Sequence, residues 1–337
     1  MTRALLLAGV ASIGLAMASP AFANAVIQSA NGFVQIGIND DGSLNASTSA
    51  GYIGIGYNFS GQGGRSGFND ALTPGCPCEA WGVSANGVGG QVGQSNGNAG
   101  ISVANSSAGT SNNASGGAVS SFTSNTSLAA ISGLTVTQTY SAATATATGA
   151  LFKNVVTIHN GTGAALSDVR YARAMDWDVP PTEFQEYVTH VGTGTTTTLL
   201  HSTDNGFAFA DPVTATGDVG IVGPNNADGT TGPADHGSLF VFGFGGLADG
   251  ADYTFNIFYG AGADKADALA LLGGVSPELY SLGQSSLGGS RRDDLPTFVF
   301  GFSGVGGSVV VNTPEPASIA LIGAGLLGLG LVRRRRG

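Results

Sequence analysis

Short apolar runs separated by glycine-, asparagine- and aspartate-rich turns cover most of the chain. Residues 33–38 place Val34, Ile36 and Ile38 at alternate positions, the period of a half-buried strand. Asn39, Asp40, Asp41 and Gly42 then read as a turn, because Asp-Gly favours positive φ. Tyr, Ile and Phe spaced by glycine predict a second strand over 52–59. From about residue 120 the signal strengthens, and 134–140, 151–160 and 169–177 read as strands, with Gly161 and Gly163 turning the chain between the last two. Over 169–177, Val169, Tyr171, Arg173, Met175 and Trp177 share one face. Later strands are expected at 195–201, 239–244, 253–259, 298–302 and 308–311. One segment, 263–272, reads as a helix, with good helix formers running to Gly273 and Gly274. Residues 87–118 are Gly-, Ser- and Asn-rich, and form either a flexible linker or a run of short glycine-rich strands. Strands recurring every ~8–12 residues with one short helix predict an all-β fold, an antiparallel β-sandwich with Gly-rich loops.

Both ends depart from this pattern. Residues 1–23 have the three parts of a secretory signal: Arg3, an uncharged apolar run over 4–18, and a small-x-small cleavage site at Ala21 and Ala23 for signal peptidase. At the other end, Pro314, Glu315 and Pro316 precede an apolar run over 317–332, and Arg333, Arg334, Arg335 and Arg336 follow it. Such a run predicts a short transmembrane helix whose arginines stay on the cytoplasmic side. The prolines hold the acid in an extended, accessible stretch just outside the bilayer. A span this short holds the chain transiently better than permanently. The expected organisation is thus a signal peptide (1–23), a β-rich body (24–312) and a sorting tail (313–337).

This ordered triplet of motif, span and arginines closely resembles the PEP-CTERM sorting signal of Gram-negative bacteria. The resemblance covers only the last two dozen residues. It implies recognition and cleavage by an exosortase, a membrane transpeptidase-like enzyme. Proteins with such tails are typically linked to exopolysaccharide and biofilm production, which makes exopolysaccharide the expected partner.

Composition sharpens the picture of the body. The 56 glycines are about one residue in six, against a usual ~7%, and charged residues are only 10%. A hydrophobic content of 42% is enough to build a core. The net charge of −10 understates the acidity of the body, since Arg3 and Arg333 to Arg336 are five of the twelve basic residues. Such a surface repels nucleic acid and anionic lipid, and leaves cations, neutral glycans and proteins as partners.

Candidate chemistry is concentrated between Arg170 and His190. Asp176 and Asp178 share one strand face, Glu183 and Glu186 follow the Pro180-Pro181 turn, and Trp177 and Tyr187 lie among them. This set is open to three readings: a strand end whose acids are neutralised by arginines, a Ca²⁺ site built of hard oxygen ligands, or a glycosidase-like pair on Asp176 and Glu183. No catalytic constellation and no metal-binding motif stands out. His159, His190, His201 and His236 are scattered without zinc-ligand spacing. Cys76 and Cys78 flank Pro77 in a rigid turn that an exporting route would permit to close as a disulfide, although a single intervening residue makes closure awkward. The Thr195 to Thr198 run is a weak ice-binding signal. These observations predict an exported surface or matrix protein without enzymatic activity, with a glycan-active enzyme or a calcium- or ice-binding β-protein as the alternatives.

Overall fold

The computed structural model describes residues 24–49, 51–93, 97–110, 118–215 and 227–311. The expected signal segment and sorting tail, with Ala21, Ala23, Pro314 to Pro316 and the terminal arginines, lie outside the described residues, as does the predicted span. Among the described residues no helix is long and apolar enough to cross a membrane.

Antiparallel pairing organises all the named strands. A four-stranded sheet has the order β1 (Ala25–Gln28), β2 (Val34–Ile38), β5 (Ile55–Ser60), β6 (Ser66–Asp70), and a ribbon of β3 (Ala46–Thr48) and β4 (Gly51–Ile53) accompanies it. A five-stranded sheet runs β15 (Leu199–Thr203), β17 (His236–Leu247), β13 (Leu166–Trp177), β7 (Glu79–Ala85), β8 (Val88–Gly93). The largest sheet has nine strands. Its order is β16 (Gly229–Ala234), β14 (Glu186–Val191), β19 (Leu279–Gln284), β20 (Thr297–Ser303), β18 (Asp252–Gly262), β12 (Ala150–Asn160), β11 (Leu134–Ala145), β10 (Ser121–Leu128), β9 (Ile101–Ala108).

The five- and nine-stranded sheets face each other, which makes the predicted sandwich. Period-two alternation sends Tyr171, Met175 and Trp177 from β13 inward, where they meet aromatics of the opposite sheet. Tyr171 lies 5.0 Å from Phe255, Phe240 5.6 Å from Phe300, and Phe242 4.9 Å from Phe302, ring centre to ring centre. One continuous apolar cluster therefore runs from Ala25 to Val305 and also takes in the four-stranded sheet. Arg173, on the same inward face, is fully buried. It donates to Glu79, to Gln138 Oε1 at 2.8 Å, to the Gly42 carbonyl at 3.1 Å and to the hydroxyls of Tyr171 and Tyr140. The other Glu79 oxygen accepts the Leu44 N–H at 2.7 Å, so both charges are satisfied inside the core.

The outer sheet faces are covered differently. Helix α1 (Lys265–Gly273) buries Ala268, Leu271 and Leu272 against Leu151, Phe258 and Val299 of the nine-stranded sheet. Asp264 caps it by accepting the Asp267 N–H at 2.8 Å. Across the five-stranded sheet, Ala208, Ala210 and Ala215 of the following loop lie on Ala80, Ala172, Ala174 and Leu239. The loop backbone approaches so closely that a Cβ at Gly82 would stand 2.1 Å from the Ala210 carbonyl oxygen.

Several expectations change. The stretch 52–59 is two strands broken at Gly54, because β4 pairs with β3 while β5 pairs with β2 and β6. Residues 195–198 form a turn, and the strand starts only at Leu199. The hydroxyls of Thr195 and Thr196 donate to Gly192 and those of Thr197 and Thr198 to Gly306 and Val305, so the run is not a regular outward array. Residues 308–311 are not a strand; Val310 donates its N–H to the Pro277 carbonyl, and Val310 and Val311 pack beside the helix. Within 87–118, the described part is largely β8 and β9, which corrects the linker reading there.

Candidate functional site

The end of β13 carries the densest unpaired chemistry. Alternation along Met175, Asp176, Trp177 and Asp178 turns Trp177 inward and the two aspartates to the opposite face. Trp177 is fully buried, and its Nε1–H donates to Ser281 Oγ at 3.1 Å. It is a core residue and offers no face to a ligand. The backbone on either side is anchored: the Asp176 N–H donates to the Cys78 carbonyl at 2.9 Å and the Asp178 N–H to the Ala71 carbonyl at 2.8 Å.

The residue just before strand β17, Asp235, supplies the third acid. The strand's register places Gly237 opposite Asp176 and His236 opposite Trp177, which brings Asp235 close to Asp178. Carboxylate oxygens of Asp176, Asp178 and Asp235 all lie within 4.8 Å of one another. Glu186 opens β14 and pairs with Ala234, the residue before Asp235. Its Oε1 accepts the His236 N–H at 3.0 Å, while Oε2 has no partner. Asp176 Oδ1 and both Asp178 oxygens are likewise without a hydrogen-bond partner. Exposure is 2% at Asp176 and 0% at Asp178 and Glu186, whereas Asp235 is exposed and opens the cluster to solvent.

Burial is the main influence on these groups. It pushes the Asp176 carboxyl up to about 8, with the Asp235 charge adding to it. Asp178 is also pushed up to about 8 by burial, reinforced by Asp176, Asp235, Glu183 and Asp70. Glu186 rises to about 9 through burial; the His236 N–H opposes the rise, and Asp176, Asp178 and Asp235 add to it. An all-oxygen, all-acidic set of this kind can share protons or accommodate a hard cation.

Glu183 does not belong to the cluster. Arg65 grips it bidentately at 2.8 and 2.9 Å, so the acid–base pair expected on Asp176 and Glu183 is disarmed on one side. Cys76 and Cys78 are joined in a disulfide with a Cα separation of 5.2 Å, and Cys76 Sγ stands 4.0 Å from Asp176 Oδ2. A second polar chain runs behind the site: His190 Nε2 contacts Ser238 Oγ at 2.8 Å, and Ser238 donates to Ser281 at 2.7 Å. Ser238 is fully buried, which is no place for a nucleophile that must reach a substrate. Asp235 escaped sequence reasoning; its only signal is its position before the strand that begins at His236, and nothing local says which strand that one pairs with.

The family model of the PEP-CTERM protein-sorting motif matches residues 312–336. The tail is a PEP-CTERM sorting signal, and the chain is an exported protein of the kind that exosortases process. No curated protein and no solved structure matches the chain.

Proposed function

We propose that this protein is a non-enzymatic component of the cell surface or biofilm matrix, associated with exopolysaccharide. The sorting motif at 312–336 carries the reading. The apolar run beside it would lodge briefly in the inner membrane, its arginines held inside, while the Pro-Glu-Pro stretch is offered outside for cleavage. The chemistry of the body supports a binding or scaffolding role. Glu183 is occupied by Arg65, Trp177 is in the core, and both Asp178 oxygens are without a hydrogen-bond donor.

Mass spectrometry of the protein recovered from its host tests the delivery route. We expect a mature chain that has lost the signal segment and everything beyond the Pro314 to Pro316 region; retention of the arginine tail would overturn it. Retention on the host exopolysaccharide, assayed with release of reducing ends, tests the role. Asp176→Asn and Glu183→Gln should retain glycan as the wild type does, and no reducing ends should appear. Turnover by the wild type that either variant abolishes would establish a glycan-active enzyme instead.

A further inference from the structure

We propose that Asp176, Asp178 and Asp235, with the Glu186 carboxylate bordering them, form a Ca²⁺ site at one end of the sandwich, where its two sheets meet. The proposal is independent of glycan association. Three observations carry it. First, oxygens bound to one Ca²⁺ at 2.3–2.6 Å cannot lie more than about 5 Å apart. The carboxylates of Asp176, Asp178 and Asp235 meet that limit, all lying within 4.8 Å of one another.

Second, the cluster contains buried oxygens with nothing to bond. Asp178 is fully buried and neither of its oxygens has a partner. Glu186 is equally buried, and with Oε1 taken by the His236 N–H its Oε2 is the atom left over. Buried polar atoms are almost always satisfied, and three orphaned oxygens on Asp176 and Asp178, with a fourth on the bordering Glu186, call for an absent partner of positive charge. Third, Asp235 is exposed, which gives an ion a way in and leaves room for water to complete its shell.

Donor chemistry selects the ion. Every ligand is a carboxylate oxygen, the choice of hard cations. The two nearby sulfurs are bonded to each other and are not available as thiolates for zinc. Mg²⁺ demands near-ideal octahedral geometry and gives up water reluctantly, whereas Ca²⁺ accepts irregular, carboxylate-rich shells. Topology gives the site its consequence. Asp176 and Asp178 come from the five-stranded sheet, Glu186 comes from the nine-stranded sheet, and Asp235 sits in the link between β16 and β17, which belong to different sheets.

The test uses the mature protein from its host, stripped with EDTA and titrated with CaCl₂ by calorimetry. Its melting temperature is followed in parallel in EDTA, MgCl₂ and CaCl₂. We expect one Ca²⁺ per chain at submillimolar to millimolar concentration and a melting temperature raised by several degrees in CaCl₂ over EDTA. Asp178→Asn and Asp235→Asn should each weaken Ca²⁺ binding by about tenfold or more. Asp178→Asn replaces a buried carboxyl that has no hydrogen-bond partner with an amide of the same size, so in EDTA it should melt close to the wild type, which separates lost binding from lost folding. Glu183→Gln should bind Ca²⁺ as the wild type does. Absence of binding heat and of any melting shift at several millimolar Ca²⁺ would overturn the site. So would wild-type affinity in both aspartate variants, or a loss in Glu183→Gln equal to theirs.

Discussion

Arg173 shows how far a single residue can be read from sequence. Its place at period two among Val169, Tyr171, Met175 and Trp177 puts it on the inward face, and the structure keeps it there. The partners that make this tolerable, Glu79, Gln138, Tyr140 and the Gly42 carbonyl, come from distant parts of the chain. Burial pushes the Glu79 carboxyl up while the Arg173 guanidinium draws it down. Arg173→Met should therefore cost about 3–5 kcal/mol in urea denaturation, because it strands Glu79, and adding Glu79→Gln should recover part of the loss. His190 makes a prediction of a different kind. Burial pushes its pKa down to about 4, only partly opposed by Asp204. The ring is neutral in the fold, so as pH falls below about 6.5 the unfolded chain takes up a proton that the folded one refuses. Stability should fall between about pH 6.5 and 4, by at most ~3 kcal/mol from this group, and His190→Gln should flatten that part of the profile. Denaturant midpoints measured at pH 7 and pH 5 in both proteins check this. Among the acids, Asp176, Asp178 and Glu186 were legible as a dense cluster. Glu183 does not join them, because spacing cannot reveal that Arg65 lies beside it.

At the level of elements, legibility followed contiguity. Strands β11, β12, β13, β18 and β20 carry unbroken alternation or β-branched and aromatic runs and emerge where expected. The helix does too, since its formers, its Asp264 cap and its closing glycines are all local. Strand β7 was missed because it is buried along its whole length, and a strand covered on both faces shows no alternation. The break at Gly54 was missed for another reason. A Cβ there would stand 2.3 Å from Asn45 Oδ1 and 2.8 Å from the Leu72 Cβ, a crowding that exists only after the sheets assemble. Gly82 offers the cleanest element-scale prediction. Its missing side chain lets the loop after β15 lie on the sheet, so Gly82→Ala should destabilise by about 1–3 kcal/mol. Hydrogen exchange should quicken in the loop around Ala208 and Ala210 and much less in α1, on the far side of the molecule. Asp264→Ala should cost about 1 kcal/mol through loss of the helix cap alone.

For the molecule as a whole, delivery and architecture separate cleanly. Sorting is written as a linear signal, the Pro-Glu-Pro, apolar run and arginines of the tail, which can be read from the extended chain. The sandwich class is nearly as local, since alternation, glycine-rich turns and the near-absence of helix signals leave few other ways to bury 42% hydrophobic residues. If the Ca²⁺ proposal holds, the protein should be firmest outside the cell, where the ion is plentiful, and EDTA should loosen the sheet ends at Asp178 and Glu186 before the Arg173 core. Sequence alone thus determined that the chain is exported under a PEP-CTERM sorting tail, that its body is antiparallel β, and which stretch is richest in acids. Only the tertiary structure decided that Asp235 comes within 4.8 Å of Asp176 and Asp178, that Glu186 of the other sheet accepts the N–H of the next residue, His236, and that Arg65 draws Glu183 away. The reason is physical: alternation and turn chemistry act over a few residues, whereas strand register and sheet packing are set by the burial of side chains far apart in the chain.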